Sequence, residues 1–306
     1  MAGKSASRTQ IRRVDATGAV VQEDEVATEE PLEIRLTFGP PEARVTRSVS
    51  VTMRTPGADR ELATGFLFGE GILTSPTELD VPTERARSSA PSNVVTLTLR
   101  SDSDVDLARL DRNFYMSSSC GVCGKSSLAA LSMARETFLD AHHPVVRAET
   151  IHALPAALRA AQSVFASTGG LHAAGLFDAD GTLLDIREDV GRHNAVDKVV
   201  GAQFLAGRLP LRDHILLVSG RASFELVQKT LMAGIPVFAA VGAPSSLAVD
   251  VARAYGLTLA GFVRDARFNV YSGEQRVVVA QQGETQHAPE TEHEAGPAAA
   301  AHAARP

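Results

Sequence analysis

The sequence predicts an α/β protein, and three observations carry that prediction. From His214 onward, apolar runs of strand length alternate with helical stripes. His214–Val218, Phe224–Ala233, Ile235–Val241, Leu247–Tyr255 and Leu257–Val263 read as β-α-β-α-β. Links this short imply a parallel or mixed sheet with covering helices. Ahead of that run, Leu171–Phe177 and Thr182–Ile186 flank Asp178-Ala179-Asp180-Gly181, a turn sequence that makes a hairpin. Near the start, Leu32, Ile34, Leu36 and Phe38 alternate with Glu33, Arg35 and Thr37, the period of two of a half-buried strand.

That first strand opens a smaller unit. Val49, Val51 and Met53 repeat the alternation, and Glu61–Phe68 reads as a short helix stopped by Gly69 and Gly71. After the polar loop Arg87–Asn93, the residues Val95, Leu97 and Leu99 make another strand, so residues 31–112 form a small α+β domain. Residues 113–280 form the larger α/β domain and carry a cysteine pair within Ser117–Ser127. Leu128, Leu131, Met133 and Ala134 fit a helical stripe, with Ser126 or Ser127 as its N-cap. Leu154, Leu158, Ala161 and Phe165 set a second helix. Residues 1–30 are polar and lack a period, and are expected to be a disordered tail. The segment 281–306, rich in Glu, His, Ala and Pro, is expected to be another; its His287, His293 and His302 read as tail residues rather than metal ligands.

A chain of 306 residues suits one or two compact domains. No apolar run approaches the roughly 20 residues that span a bilayer, and no apolar stretch follows the charges of the first residues. The expected location is the cytoplasm, with no membrane partner. The net charge of −6 comes largely from the two ends, because residues 31–280 hold 25 basic and 26 acidic side chains. That balance gives no nucleic-acid footprint.

The two cysteines, Cys120 and Cys123, stand three positions apart in Cys120-Gly121-Val122-Cys123. A disulfide framework needs more cysteines and wider loops. A thiolate is the form of cysteine that attacks and carries sulfur, and helix N-termini and cations favour it. Cys123 precedes the expected helix, Lys125 follows it, and Gly121 and Gly124 leave room around it. A buried structural pair, a zinc site and a thioredoxin-like dithiol are the competing readings. Zinc needs about four ligands; His142, His143, His172 and His193 could complete a set only through the fold, and no H-x-E precedes the pair as in zinc deaminases. Thioredoxin-like pairs come early in a βαβ chain. Gly124-Lys125-Ser126 fails as a phosphate loop, since Ser119 stands where a glycine is required.

Other candidates lie in the second half. Arg264 and Arg267 follow a predicted strand end, where open α/β sheets bind ligands, and arginine pairs two phosphate oxygens at once. Spacing alone equally makes them solvated surface. Arg192, His193 and Lys198 open a helix after Gly191 and would aim N–H groups at a phosphate; Asp189 and Asp197 could instead pair with these cations and brace the helix. His172, set among glycines, is either a close-approach residue or a hydrogen-bonded core histidine. Ser219-Gly220-Arg221 ends a strand before a helix, again a natural ligand edge.

Five blocks taken together resemble one family, the formate dehydrogenase accessory sulfurtransferases. They are Ser118–Gly124, Thr168–Gly175, Arg187–Lys198, Ser219–Glu225 and Gly261–Asn269, within a similarity that runs from about residue 30 to 280. The resemblance implies a cytidine-deaminase-like mixed-sheet domain with a smaller N-terminal domain, assembled as a homodimer. It implies a sulfurtransferase that takes sulfur from a cysteine desulfurase and holds it as a persulfide on Cys120. Cys123 would relay or reduce it. The acceptor is the molybdenum cofactor, as the bis(molybdopterin guanine dinucleotide) destined for formate dehydrogenase, bound as a substrate with no permanently held metal. The family's cofactor-binding stretch falls on Phe262, Val263, Arg264, Asp265, Ala266 and Arg267; His172, Arg192 and Arg221 join it as candidates. A chaperone that carries the cofactor without moving sulfur is the alternative, and it would make both cysteines dispensable but not Arg264 and Arg267.

Overall fold

The computed structural model describes residues 5–80, 93–101, 139–264 and 266–279. Cys120, Cys123, Asp265, the helix expected over Leu128–Ala134 and the segment 281–306 lie outside the described residues.

The alternation at the start of the chain yields strands, beginning earlier than expected. Strands β1 (Ala6–Asp15) and β2 (Gly18–Ala27) pair antiparallel, which corrects the expectation that residues 1–30 are a disordered tail. Their turn is closed locally, with Thr17 N and Oγ1 donating to Asp15 Oδ1 at 2.8 and 2.6 Å. Both faces of this hairpin are almost wholly exposed, Val14, Val20, Val21 and Val26 included, so no buried stripe exists for a hydrophobic period to report. Strands β3 (Glu30–Phe38) and β4 (Val45–Arg54), helix α1 (Asp59–Gly69) and strand β5 (Val94–Thr98) follow, and the three strands form one sheet in the order β4-β3-β5.

After the short strand β6 (Val146–Arg147), helices α2 (Ala148–Ala161) and α3 (Ser163–Thr168) replace the single helix expected over Leu154–Phe165. Then come β7 (His172–Asp178), β8 (Leu183–Asp189), α4 (Arg192–Leu205), β9 (His214–Val218), α5 (Phe224–Met232), β10 (Val237–Ala240), α6 (Ser246–Ala254), β11 (Thr258–Arg264), β12 (Arg267–Ser272) and β13 (Val277–Val278). The expected hairpin is present, since β7 and β8 pair antiparallel across the 178–181 turn. Six strands form a mixed sheet in the order β12-β11-β10-β9-β7-β8, with β9, β10 and β11 parallel and the others antiparallel to their neighbours.

Both faces of that sheet are covered, which explains why its strands read as unbroken apolar runs. On β9, Leu216 and Val218 join a core beneath α4, α5 and α6, while Ile215 and Leu217 join one beneath α2. The first of these cores is continuous with the three-stranded sheet: Leu32, Ile34, Leu36 and Leu97 belong to the same cluster as Val196, Val199 and Phe204. Helices α1 and α4 make this possible by crossing backbone against backbone at two glycines. A Cβ on Gly65 would sit 2.0 Å from the Asp197 carbonyl oxygen, and one on Gly201 would sit 1.8 Å from that of Glu61. No rotamer change relieves a clash with main chain. Gly201→Ala is therefore expected to force α1 off α4 and destabilise the protein by about 3 kcal/mol or more, read as a lower midpoint of urea unfolding. An unchanged midpoint would contradict the close crossing.

Candidate functional site

The chain's chemistry-bearing blocks meet at one edge of the six-stranded sheet. Strands β9, β10 and β11 point their carboxyl ends there, and the antiparallel strands bring the start of β7 and the end of β8 to the same edge. His172 opens β7 and pairs in register with Asp189 at the end of β8. Next along the edge lie Ser219–Arg221 after β9, Gly242 after β10, and Phe262 and Arg264 on β11. Main-chain bonds tie these ends together: Gly242 N donates to the Gly220 oxygen at 3.0 Å, and Phe262 N to the Gly242 oxygen at 3.1 Å. This is the place where open α/β sheets receive ligands.

One buried charge aims the flanking helix. The Asp189 carboxylate has no solvent exposure and is neutralised by Lys198 Nζ at 2.6 Å. It also accepts from Thr55 N at 3.1 Å, Gly191 N at 2.8 Å and Asn194 Nδ2 at 2.9 Å. Lys198 Nζ donates onward to the Thr55 oxygen at 2.9 Å. A buried carboxylate needs such a complete shell. Asp197 pairs with Lys229 of α5 at 2.6 Å. The two readings of this segment thus divide: Asp189, Lys198 and Asp197 brace, while Arg192 and His193 remain at the helix start, at the carboxyl edge of the sheet.

Around them the packing is close. A side chain at Gly220 would meet Arg192 Cδ and His172 Nδ1, each at 3.5 Å. Arg192 Nε is buried and without a hydrogen-bond partner among the described residues, which suits an anionic oxygen supplied from outside. His172 is half-buried at the edge rather than sealed in the core. Burial, with Arg192 and His193 beside it, holds its pKa below the ordinary imidazole range, so its ring is neutral at pH 7. His193 Nε2 lies 3.2 Å from Ser223 Oγ and 3.8 Å from Glu225 Oε2, joining the starts of α4 and α5. That imidazole brings the Glu225 carboxyl down to about 2, against the opposing effect of burial. Sequence offered His193 only as a residue opening the helix after Gly191 or as a zinc ligand, and did not pick out Glu225; both lie inside the resembling blocks, but their contact joins the starts of two helices.

The Phe262–Arg267 stretch differs from the expected strand end. β11 runs to Arg264, and Arg267 begins β12 directly opposite it. Register slips between Gly261 and Arg264, and Phe262 and Ala266 both take left-handed backbone with φ near 54°. Such bulges re-aim side chains, and strain of this kind gathers at ligand sites. The partly exposed Phe262 ring carries the Arg264 guanidinium 5.9 Å from its centroid, and Arg264, Ala266 and Arg267 are exposed. Val263 is fully buried in the core beneath α2; its side chain faces away from any ligand and only its main chain can serve. Arg221 is exposed beside Gly242. His143 pairs with Asp213 at the opposite edge of the sheet, far from His172 and His193.

Fold and edge together define a mixed α/β protein whose arginine-bearing strand edge is flanked by two helix starts. The chain belongs to the FdhD/NarQ family, whose model matches residues 27–278. It is 49% identical over 282 residues to the sulfur carrier protein FdhD of Streptomyces avermitilis, covering 90% of this chain and 97% of that one. It is 46% identical over 285 residues to that of Mycobacterium tuberculosis, covering 90% and 99%. A crystal structure of a candidate formate dehydrogenase accessory protein from Desulfotalea psychrophila superposes with a TM-score of 0.68 at 24% identity, covering 90% of this chain and 100% of that one, a likeness of fold.

The brace is testable apart from chemistry. Lys198→Met leaves Asp189 buried and unpaired, and is expected to cost about 3–5 kcal/mol in denaturant unfolding; a loss below about 1 kcal/mol would show that the pair does not hold the edge together.

Proposed function

We propose that this protein is a sulfur carrier of the sulfurtransferase kind. It takes sulfur from a cysteine desulfurase as a persulfide on Cys120 and hands it to bis(molybdopterin guanine dinucleotide) before that cofactor enters formate dehydrogenase. The relatives named as sulfur carrier proteins support the general activity. The observation that carries the rest is the buried Arg192 Nε, without a hydrogen-bond partner among the described residues, on an edge lined by Arg221, Arg264 and Arg267. A ligand with two guanine dinucleotide arms brings pyrophosphates and flat bases. Arginine forks and free N–H groups at helix starts take the first, and the exposed Phe262 face suits the second. The cofactor is cargo, held by His172, Arg192, Arg221 and the Phe262–Arg267 turn while sulfur is delivered.

Cys120, between Ser119 and Gly121, is the carrier thiolate, and Cys123 relays sulfur or reduces the persulfide. The carrier works in the cytoplasm as a homodimer, and its larger sheet is of the cytidine-deaminase kind. No described helix is long and apolar enough to cross a membrane.

Incubation with a cysteine desulfurase and cysteine is expected to add one sulfur (roughly 32 Da) that reductant removes and that maps to Cys120, since only a reactive thiolate gains it. Cys120→Ser is expected to abolish the gain and to bring formate dehydrogenase maturation to background. Full maturation with Cys120→Ser, alongside normal cofactor binding, would replace the carrier by a non-catalytic chaperone.

A further inference from the structure

Resting on the homodimer reading, we infer that the β1–β2 hairpin is the arm through which two copies of this chain associate, outer face against outer face and tip to base. Each strand is ten residues long, and a two-stranded hairpin in water is marginal unless a further strand or a helix covers it. Among the described residues, the body meets this arm at its base. The Ala27 side chain lies 3.5 Å from where a Cβ on Gly170 would stand, and α3 lies beside β2. Toward the turn the arm projects, with Val14, Val20 and Val21 exposed by 71, 65 and 60%. Single exposed valines are ordinary, but several on one short arm mark a contact surface.

The register separates two faces. The inner one holds Ala27 at its base, and Arg8 there takes up Glu23 and Glu25 at 4.0 and 3.7 Å. The outer face carries five cross-strand pairs, with Ile11–Gln22 in the middle. One pair toward the tip stands Arg13–Val20, and one pair toward the base stands Thr9–Asp24. Neither of these charges is neutralised within the chain. Among the described residues Arg13 makes no ion pair, and Asp24 accepts only from the Glu25 N–H, at 2.9 Å.

That spacing is self-complementary. A two-fold axis through the Ile11–Gln22 pair sends the tip of one arm to the base of the other, so Arg13 falls over the partner's Thr9–Asp24 pair. Both arginines then reach the partner's Asp24, and the two Ile11 side chains meet at the axis. Closed two-fold contacts of this sort are the commonest way for a chain to associate with itself. Tip to tip, Arg13 would instead face a second arginine, and like charges so placed are costly. A partner of another kind would need no such balance of charge about the arm's own centre. The face is about 34 Å long at about 3.4 Å per residue and only two strands wide, which makes a small interface. Its charge pairs stay near solvent, so salt weakens it.

Sedimentation equilibrium of the full chain at low and high salt tests the arm. The parent is expected to dimerise, more weakly at high salt. Asp24→Arg and Arg13→Asp each set like charges together at two symmetric points, and each is expected to weaken the dimer about 100-fold. The double variant Arg13→Asp/Asp24→Arg remakes the pairs and is expected to dimerise as the parent does, which a misfolded arm could not. Arg12→Asp, on the inner face, is expected to leave the dimer unchanged. Single variants as dimeric as the parent, a double variant no better than either single one, or an equal loss with Arg12→Asp would overturn the inference and leave the homodimer reading standing. A parent that sediments as a monomer at every concentration would overturn both, without touching the carrier activity, which sulfur loading of Cys120 reads on its own.

Discussion

A carboxylate without solvent contact must be neutralised and have its lone pairs occupied, and Asp189 meets both conditions through groups from three elements. Lys198 and Asn194 come from α4, Thr55 from the end of β4, and Gly191 from the turn between β8 and α4. Because Thr55 belongs to the three-stranded layer and Asp189 to the six-stranded sheet, this one shell fixes how the layers meet. It also fixes where α4 starts. An ion pair of this kind is weak evidence for stability, since an apolar replacement of both partners is often neutral. What it secures is geometry, because breaking one partner alone is costly.

The glycine crossing of α1 on α4 acts in the same direction. Two helices at main-chain contact cannot slide or rotate without collision, so Gly65 and Gly201 hold the α4 axis while Asp189 holds its start. With both fixed, Arg192 and His193 emerge at the carboxyl edge of the sheet. Small residues complete the design there. A Cβ at Gly242 would press on Arg221 and the Gly220 carbonyl at 3.0 Å, whereas one at Gly220 would only touch Arg192 and His172. The result is a division of labour within one short segment: its aspartates and lysine are sealed and structural, and its arginine and histidine stand at the carboxyl edge of the sheet.

Much of this organisation was readable from sequence where a buried period exists. The β9–β11 run and the β7–β8 hairpin carry apolar runs against a covered sheet, and the helix after Gly191 is marked by that glycine and the cations that open it. The β1–β2 hairpin carries no buried stripe, because its pairing rests on a turn bond at Asp15 and on cross-strand hydrogen bonds while both faces stay exposed. The helix expected from the spacing of Leu154, Leu158, Ala161 and Phe165 starts at Ala148 instead, with Pro155 inside it. At the site, the strand ends marked Arg264 and Arg267 only as either phosphate ligands or solvated surface, and the family resemblance alone favoured the first. Val263 was not separable from its neighbours until the alternation of β11 showed it facing the core, and the contact of His193 with Glu225 is invisible without the fold that joins two helix starts.

The central claim is that the carboxyl edge receives the guanine dinucleotide arms of the cofactor, and amide hydrogen exchange of the full chain with and without guanosine diphosphate tests it most directly. That nucleotide is the terminal fragment of such an arm, and exchange reports where backbone groups become protected on binding. The account predicts protection at residues 191–194, 219–223 and 262–264, with no change at Arg212–His214 on the opposite edge. Saturating nucleotide that leaves those three segments unchanged, or that protects the opposite edge instead, would contradict it.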